Sequence, residues 1–404
     1  MHISITSRML FAAMATLAAS SALSQPTKIG LREAIEAAWQ RSPEARSLEA
    51  KREEMLAGRD AASTWVAGSP VLGLSQRSDR WTERNGAKES ELTLSAPVWL
   101  PSHKSAREAL AQSSSEDLEA QIALAKLALA GTVRERLWEV AATREALAEA
   151  RDHQKHLEAL SNEVLRRVQA GDLARSDGML AQQEVLAAQG AVATARSKEQ
   201  EASTRYRVLT GQPDIPVPVP EVLDGERASR HPRETAAATS LQKAKATLKA
   251  ADAIRSEPPT IGLLMRRDQG GTGGDTSRTI GFSIQIPIGT GARNRPLEAA
   301  ARTQNETAIA ELAQAEAILM ADGELAKQQL ESTQEALSHA SSRAAIAREH
   351  LSLIDKAFRA GERGLADLLR AEALAHEADS AERQQKVAVG LAHARLNQAL
   401  GIIP

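Results

Sequence analysis

The sequence predicts a mainly α-helical chain with a small β part, laid out as two tandem structural repeats. Three observations lead there. Proline is absent from residues 102–212 and 297–403, and both stretches are rich in Ala, Leu, Glu, Gln and Arg, a composition that favours long helices. Landmark residues recur at a nearly constant offset along most of the chain. A period-two apolar run stands just before each proline-free stretch.

The N-terminus reads as a secretory leader over residues 1–24. Arg8 supplies positive charge, Met9 to Ala19 is apolar, and Ala22-Leu23-Ser24 is a small-x-small cleavage site. The alternative, a short membrane anchor, has an apolar run too short to span a bilayer. No later stretch is apolar for long enough to make a transmembrane helix, so entry into a membrane would have to use β-strands.

The repeats come next. Arg41-Ser42-Pro43 returns as Arg230-His231-Pro232, and Pro70-Val71-Leu72-Gly73-Leu74 returns as Pro259-Thr260-Ile261-Gly262-Leu263. Further on, Ala170-Gly171 returns as Ala360-Gly361, Asp177 as Asp367 and Gly211 as Gly401. This places one repeat at 25–211 and a second at 230–404. The connector between them, 212–229, carries proline at alternate positions (Pro216, Pro218, Pro220), which holds a chain extended.

Each repeat opens on a strand pair, at about 70–99 and 259–288. Leu92, Leu94, Ala96 and Val98 alternate with polar residues or proline, as do Ile280, Phe282, Ile284, Ile286 and Ile288. That is the pattern of a strand with one apolar face. Strands of about nine or ten residues cross a bilayer when tilted. Four strands cannot close a membrane barrel and open edges are not tolerated in lipid, so the strands form either a soluble sheet or a barrel pooled among chains, twelve strands in a trimer. Trp65, Trp81 and Trp99 lie in or beside the first pair, as an interfacial aromatic belt would; simple packing is the alternative.

Long helices follow at about 102–210 and 297–400. Val133, Leu137, Val140 and Leu147, then Leu157, Leu160, Val164 and Val168, keep one stripe on one side of a helix. Continuous from Lys104 to Val168, it would measure roughly 100 Å. The stripe alone fits an ordinary coiled-coil bundle equally well.

Much chemistry is excluded. Fifty basic residues balance fifty-two acidic ones, against a nucleic-acid partner. There is no cysteine, hence no disulfide, thiolate metal site or lipidated cysteine. The glycine run Gly270–Gly274 lacks the Lys-Ser/Thr of a phosphate loop, and His376-Glu377 lacks the second histidine of a zinc protease. His153 and His156, three apart on a helix, could touch one metal, but no third ligand is near in sequence; solvated helix-face histidines are expected. No catalytic residue, metal site or cofactor is expected.

The leader, tandem halves, paired strands and proline-free helices together resemble the TolC family of outer-membrane efflux proteins, over nearly the whole mature chain. The most specific motifs are the helix-to-helix turns Ala170-Gly171-Asp172-Leu173-Ala174-Arg175-Ser176-Asp177 and Ala360-Gly361-Glu362-Arg363-Gly364-Leu365-Ala366-Asp367. Read without the family, each glycine ends one helix and each aspartate suits the N-terminus of the next.

The resemblance implies more. It implies a homotrimer with a periplasmic α-barrel and a twelve-stranded barrel in outer-membrane lipid. The turns become the periplasmic tip, with Gly171, Asp172, Gly361 and Glu362 meeting a periplasmic adaptor protein beneath an inner-membrane pump of the resistance-nodulation-division type. It implies a closed gate in which Arg363 pairs with Asp177 of a neighbouring chain, and an acidic ring at Asp367. Two positions depart from the family pattern: Arg370 stands where a second acidic ring position falls, and Phe358 where a supporting tyrosine falls. The short mature length and Leu92-Thr-Leu-Ser-Ala-Pro-Val-Trp-Leu100 resemble the heavy-metal cation branch. Drug efflux and type I protein secretion stay open as cargo readings, with a periplasmic coiled-coil scaffold as a more distant alternative.

Overall fold

A computed structural model describes residues 30–223, 230–254, 256–289 and 291–404. The leader and residues 224–229 of the connector lie outside the described residues.

The first repeat begins with two short helices, α1 (Leu31–Arg41) and α2 (Pro43–Ser63). Ser42 separates them: its hydroxyl accepts from Glu44 N at 3.2 Å and Pro43 occupies the first turn, where a missing N–H costs nothing. Then come β1 (Val71–Ser78), β2 (Lys88–Pro97), α3 (Pro101–Ala170) and α4 (Arg175–Thr210). The second repeat supplies α5 (Pro232–Ala253), β3 (Thr260–Gln269), β4 (Thr276–Gln285), α6 (Gly291–Arg359) and α7 (Leu365–Ala399). The class is therefore mainly α with one small sheet, as the proline distribution predicts. At 70 residues, α3 is about 105 Å long.

Three helices and three boundaries differ from the sequence reading. The helices α1, α2 and α5 ahead of the strand pairs are additional. α6 starts at Gly291 and carries Pro296 inside it, rather than starting at 297. Pro296 is the sixth residue of α6, so it forgoes one hydrogen bond, to the Ala292 carbonyl, in the second turn. β4 stops at Gln285, short of Ile286 and Ile288, beside Pro287, which has no N–H for a ladder. β2 begins earlier, at Lys88, because its polar start pairs with the polar end of β3.

The four strands form one antiparallel sheet in the order β1-β2-β3-β4. The ladder between β2 and β3 joins the repeats, running from Lys88 opposite Gln269 to Pro97 opposite Thr260. The strands make their extensive contacts with one another, while the helices pack among themselves.

α3 is the central helix. α2 and α4 both pack on it from the first repeat, and α5 and α7 pack between it and α6. The stripe predicted on α3 is real: Val133, Leu137, Val140, Leu147, Leu157 and Val164 are buried. On α6 the seam is mostly small, with Ala301, Ala308 and Ala315 buried at seven-residue steps as in a coiled coil.

The repeated landmarks meet at two junctions. Gly211 ends α4 with φ +71°, and a Cβ there would fall 2.5 Å from Arg41 Cδ. Gly401 follows α7 with φ +79°, and its Cβ would fall 2.6 Å from His231 Cδ2. The end of each partner helix therefore abuts the start of the short helix of its own repeat, and no side chain fits between.

A buried arginine ties the connector down. Arg134 of α3 is 2% exposed. It donates to both carboxylate oxygens of Glu221 at 2.7 and 2.8 Å, to Gln398 Oε1 at 2.7 Å and to the Ile402 carbonyl at 3.0 Å. Glu221 also accepts from Asn397 Nδ2 at 3.0 Å, and further hydrogen bonds of this kind are what a largely buried ion pair requires. Nearby, Gly390 of α7 lies against Trp138 of α3; a Cβ on Gly390 would fall 2.0 Å from the indole. Gly390→Ala is expected to lower stability by about 1–3 kcal/mol through overpacking. Thermal unfolding of the purified protein tests this, and pairing the change with Trp138→Leu should recover most of the loss.

Candidate functional site

Two ends of the molecule carry candidate sites, the helix turns at one end and the exposed sheet at the other. The two turns share one backbone design. Gly171 has φ +87° and donates to the Val168 carbonyl at 3.1 Å, and Asp172 N donates to Arg167 O at 2.9 Å. Gly361 has φ +76° and donates to Phe358 O at 3.1 Å, and Glu362 N donates to Ala357 O at 2.9 Å. This is the Schellman end of a helix, for which glycine is suited by its freedom at positive φ. Asp172 and Glu362 are exposed on the turns.

Beyond each glycine the charged residues differ. Asp177 caps α4: its Oδ2 accepts from Ala174 N at 3.2 Å. Asp367, at the start of α7, faces two arginines of its own chain, Arg363 Nη1 and Arg370 Nη1, each 3.7 Å away. The single chain thus brings Arg363, Asp367 and Arg370 together, and pairs Arg363 with Asp367 rather than with Asp177. Arg370, the departure from the family pattern, neutralises the neighbouring acid along the helix.

Phe358 is 3% exposed and belongs to an apolar cluster with Val164, Ala181, Leu365 and Leu368. One residue or more from each long helix meets there, and the Arg167 guanidinium stacks over the ring at 5.1 Å. Phe358 therefore supports the turns by packing.

His153 is half-buried and His156, though exposed, has a partner across the helix pair, where the sequence reading expected solvated helix-face histidines. Both face α7. His156 Nε2 lies 2.8 Å from Glu372 Oε1, His376 Nδ1 lies 2.8 Å from Glu149 Oε1, and the His153 and His376 rings stack at 3.7 Å. Asp152, Asp379 and Arg383 line the same groove. The sequence signal was the spacing: Glu149 stands four before His153 on α3, and Glu372 four before His376 on α7, each pair on one helix face. Among the described residues no group of three or more such side chains is placed to hold a metal ion.

The two helical histidines titrate in opposite directions. The hydrogen bond His156 donates to Glu372 raises the His156 pKa above its usual 6.5, whereas burial, then the His376 charge, lowers that of His153. The His156 contribution is accordingly full below 6.5 and lost as pH rises through its raised folded value. That of His153 is present above 6.5 and lost as pH falls through its lowered folded value. His156→Gln should lower the melting temperature in mild acid, with the difference shrinking above neutrality. His153→Gln should show the reverse trend. Melting curves across this pH range check both.

At the other end, alternation along the strands sorts side chains onto two faces. One face carries three apolar rows: Ala96, Ile261 and Ile284; Leu72, Leu94, Leu263 and Phe282; Leu74, Leu92, Met265 and Ile280. Most of these side chains are exposed, Leu74 at 81% and Ile280 at 74%. The opposite face is mostly small or polar, with Gly73, Thr93, Ser95, Gly262, Gly281 and Ser283, and is interrupted by Val71 and Leu264. β1 and β4 each pair on one side only.

The tryptophans divide between the two ends of the sheet. Trp99 N donates to Trp65 O at 2.9 Å at the helix end, where Lys104 and Arg107 approach the rings of Trp65 and Trp99 at 4.9 and 4.3 Å. Trp81 is 88% exposed in the first hairpin loop. Ten residues of β2 separate these levels, about 34 Å along the strand. No helix among the described residues is long and apolar enough to cross a membrane.

Comparison with known proteins adds the following. The model of a family described as outer membrane efflux protein matches residues 226–402. No curated protein sequence matches the chain. In fold the chain is similar to the outer membrane protein VceC of Vibrio cholerae, with a TM-score of 0.76 and 16% identity over 92% of this chain and 96% of that one. It is similar to the MtrE outer membrane channel of Neisseria gonorrhoeae, with a TM-score of 0.71 and 21% identity over 92% and 88% of the two chains. It is also similar to CusC, described by its transmembrane channel formation, with a TM-score of 0.74 and 14% identity over 93% and 92%.

Proposed function

We propose that this chain, whose residues 226–402 match the model of the outer membrane efflux protein family, is one protomer of a trimeric exit duct in the cell outer membrane. The observation that carries this reading is the sheet. It presents an uncovered apolar face and two unpaired edges. Water disfavours the face, and lipid does not tolerate the edges. Three copies placed edge to edge make twelve strands and satisfy both conditions. The apolar rows then meet lipid, the Gly, Ser and Thr face lines the lumen, and Trp65 and Trp99 mark one interface level with Trp81 beyond the other. In such an assembly the leader, residues 1–24, directs export and the long helices reach into the periplasm.

The duct opens at its helical tips. Gly171, Asp172, Gly361 and Glu362 form the exposed turns on which a periplasmic adaptor docks, and a resistance-nodulation-division pump in the inner membrane supplies the cargo. In the closed trimer Arg363 exchanges its own Asp367 for Asp177 of the neighbouring chain, which remains hydrogen-bonded at its helix start. Each exposed pair contributes only ~0–1 kcal/mol, repeated three times. Arg370 stays beside Asp367 along α7 and offsets its charge at the tip, so choice of cargo falls to the pump. The cargo reading is heavy-metal cations, on the resemblance of residues 92–100.

Two experiments test this. Membrane fractionation with unheated gel electrophoresis should show a heat-sensitive trimer in the outer membrane; a soluble monomer refutes the duct. In planar bilayers, Arg363→Ser should raise the closed-state conductance several-fold, and a conductance equal to the parent's rules out the lock.

A further inference from the structure

The register of the sheet partitions charge as well as hydrophobicity. Beyond the apolar rows, toward the hairpin loops, the same face continues with Gln76, Ser90, Arg267 and Arg278, then with Ser78, Lys88, Gln269 and Thr276. Three cations stand in these two rows with no carboxylate. The acids of the strands, Glu89, Glu91 and Asp268, all fall on the opposite face. There Arg77 lies 3.8 Å from Glu89, and Arg266 lies 3.4 Å from Glu89 and 2.8 Å from Asp268.

Arg267 and Arg278 are direct partners across β3 and β4. Like charges at that position repel, and every other strand arginine has a carboxylate beside it. Arg267, Arg278 and Lys88 are exposed, and none of them has an ion pair or side-chain hydrogen bond among the described residues. A neighbouring copy joined at the β4 edge would not supply one from its strand, because β1 contains no Asp or Glu.

We propose that Arg267, Arg278 and Lys88 form a binding surface for the phosphate of a membrane lipid headgroup. The inference rests on the reading that the apolar rows face a bilayer. The cations then stand where the hydrocarbon ends and the headgroups begin, on the side away from the helices. Two guanidinium groups side by side offer paired N–H donors that match phosphate oxygens bidentately, and a bound phosphate cancels their mutual repulsion. The lipid's acyl chains lie along Met265, Ile280, Leu263 and Phe282 below. Helices at the opposite end of the sheet assign this surface to the outer leaflet, whose matching ligand is a phosphorylated glycolipid.

The test uses the full-length trimer in non-ionic detergent and native mass spectrometry with two probes, bisphosphorylated lipid A and the same lipid stripped of its phosphates. The parent should retain the phosphorylated lipid about tenfold more strongly than the stripped one, and Arg267→Gln/Arg278→Gln should lose that preference. Arg77→Gln, which removes a cation from the opposite face, should keep it. Excess inorganic phosphate should not displace the lipid; displacement would mark a site for the free anion and overturn the proposal. Equal retention by the parent and the double variant also overturns it. The heat-sensitive trimer is scored in the same samples: if it forms without phosphate preference, only this inference fails, and if no membrane trimer forms, the duct reading fails first.

Discussion

The backbone ladder between β2 and β3 is the constraint on which the rest depends. Among the described residues it is the one strand ladder between the two repeats, and its register sets the face of every residue on β2 and β3. A slip by one residue would carry Leu263 and Met265 to the polar side and bring Arg266 and Asp268 among the apolar rows. With the register as it is, hydrophobicity and charge largely separate together: the apolar rows and unpaired cations on one face, and glycine, hydroxyls and ion pairs, with Val71 and Leu264 among them, on the other. The same ladder leaves β1 and β4 as the two edges of the sheet.

The helical end obeys a different economy of charge. Its turns are near copies in backbone geometry, because both use glycine at positive φ, yet their side chains have diverged. Asp177 is committed to capping α4, while Asp367 is held between Arg363 and Arg370. The divergence suits a tip in which the two turns of one chain meet unlike partners in its neighbours. Above the tip, Glu149, His153, His156, Glu372 and His376 place a titratable contact between α3 and α7, beside the ion pairs Arg383–Glu145, Arg343–Glu377 and Arg348–Asp379.

Rigidity between the two ends comes from contacts that admit no extra atom. Gly211 against Arg41, Gly401 against His231 and Gly390 against Trp138 each bring backbone close to a large side chain. Arg134 adds a polar counterpart, fastening the connector and the C-terminal residues to the middle of α3. These contacts let short helices act as continuations of long ones, so that the coiled seam runs from the turns toward the sheet without a gap.

Much of this was legible in sequence for a definite reason. Helices and strands are local, so the proline-free stretches, the α3 stripe and the alternation at 92–98 and 280–284 announced themselves through periodicity. The glycines of the turns and junctions did so through repetition. The helices α1, α2 and α5 were missed because their stripes are short and alanine-rich. The partners of His153 and His156 were missed because they lie more than two hundred residues away on α7, and sequence spacing reports only neighbours on one helix. The packing of Phe358 and the pairing of Arg363 with Asp367 also required coordinates, since side-chain direction at a turn depends on how four helices converge. The sequence by itself determined the element types, the duplication and the amphipathic faces, all properties of chain periodicity. Only the tertiary structure decided which faces meet, which charges pair and which cations are left for a partner, because those follow from register and helix packing across distances that no local pattern encodes.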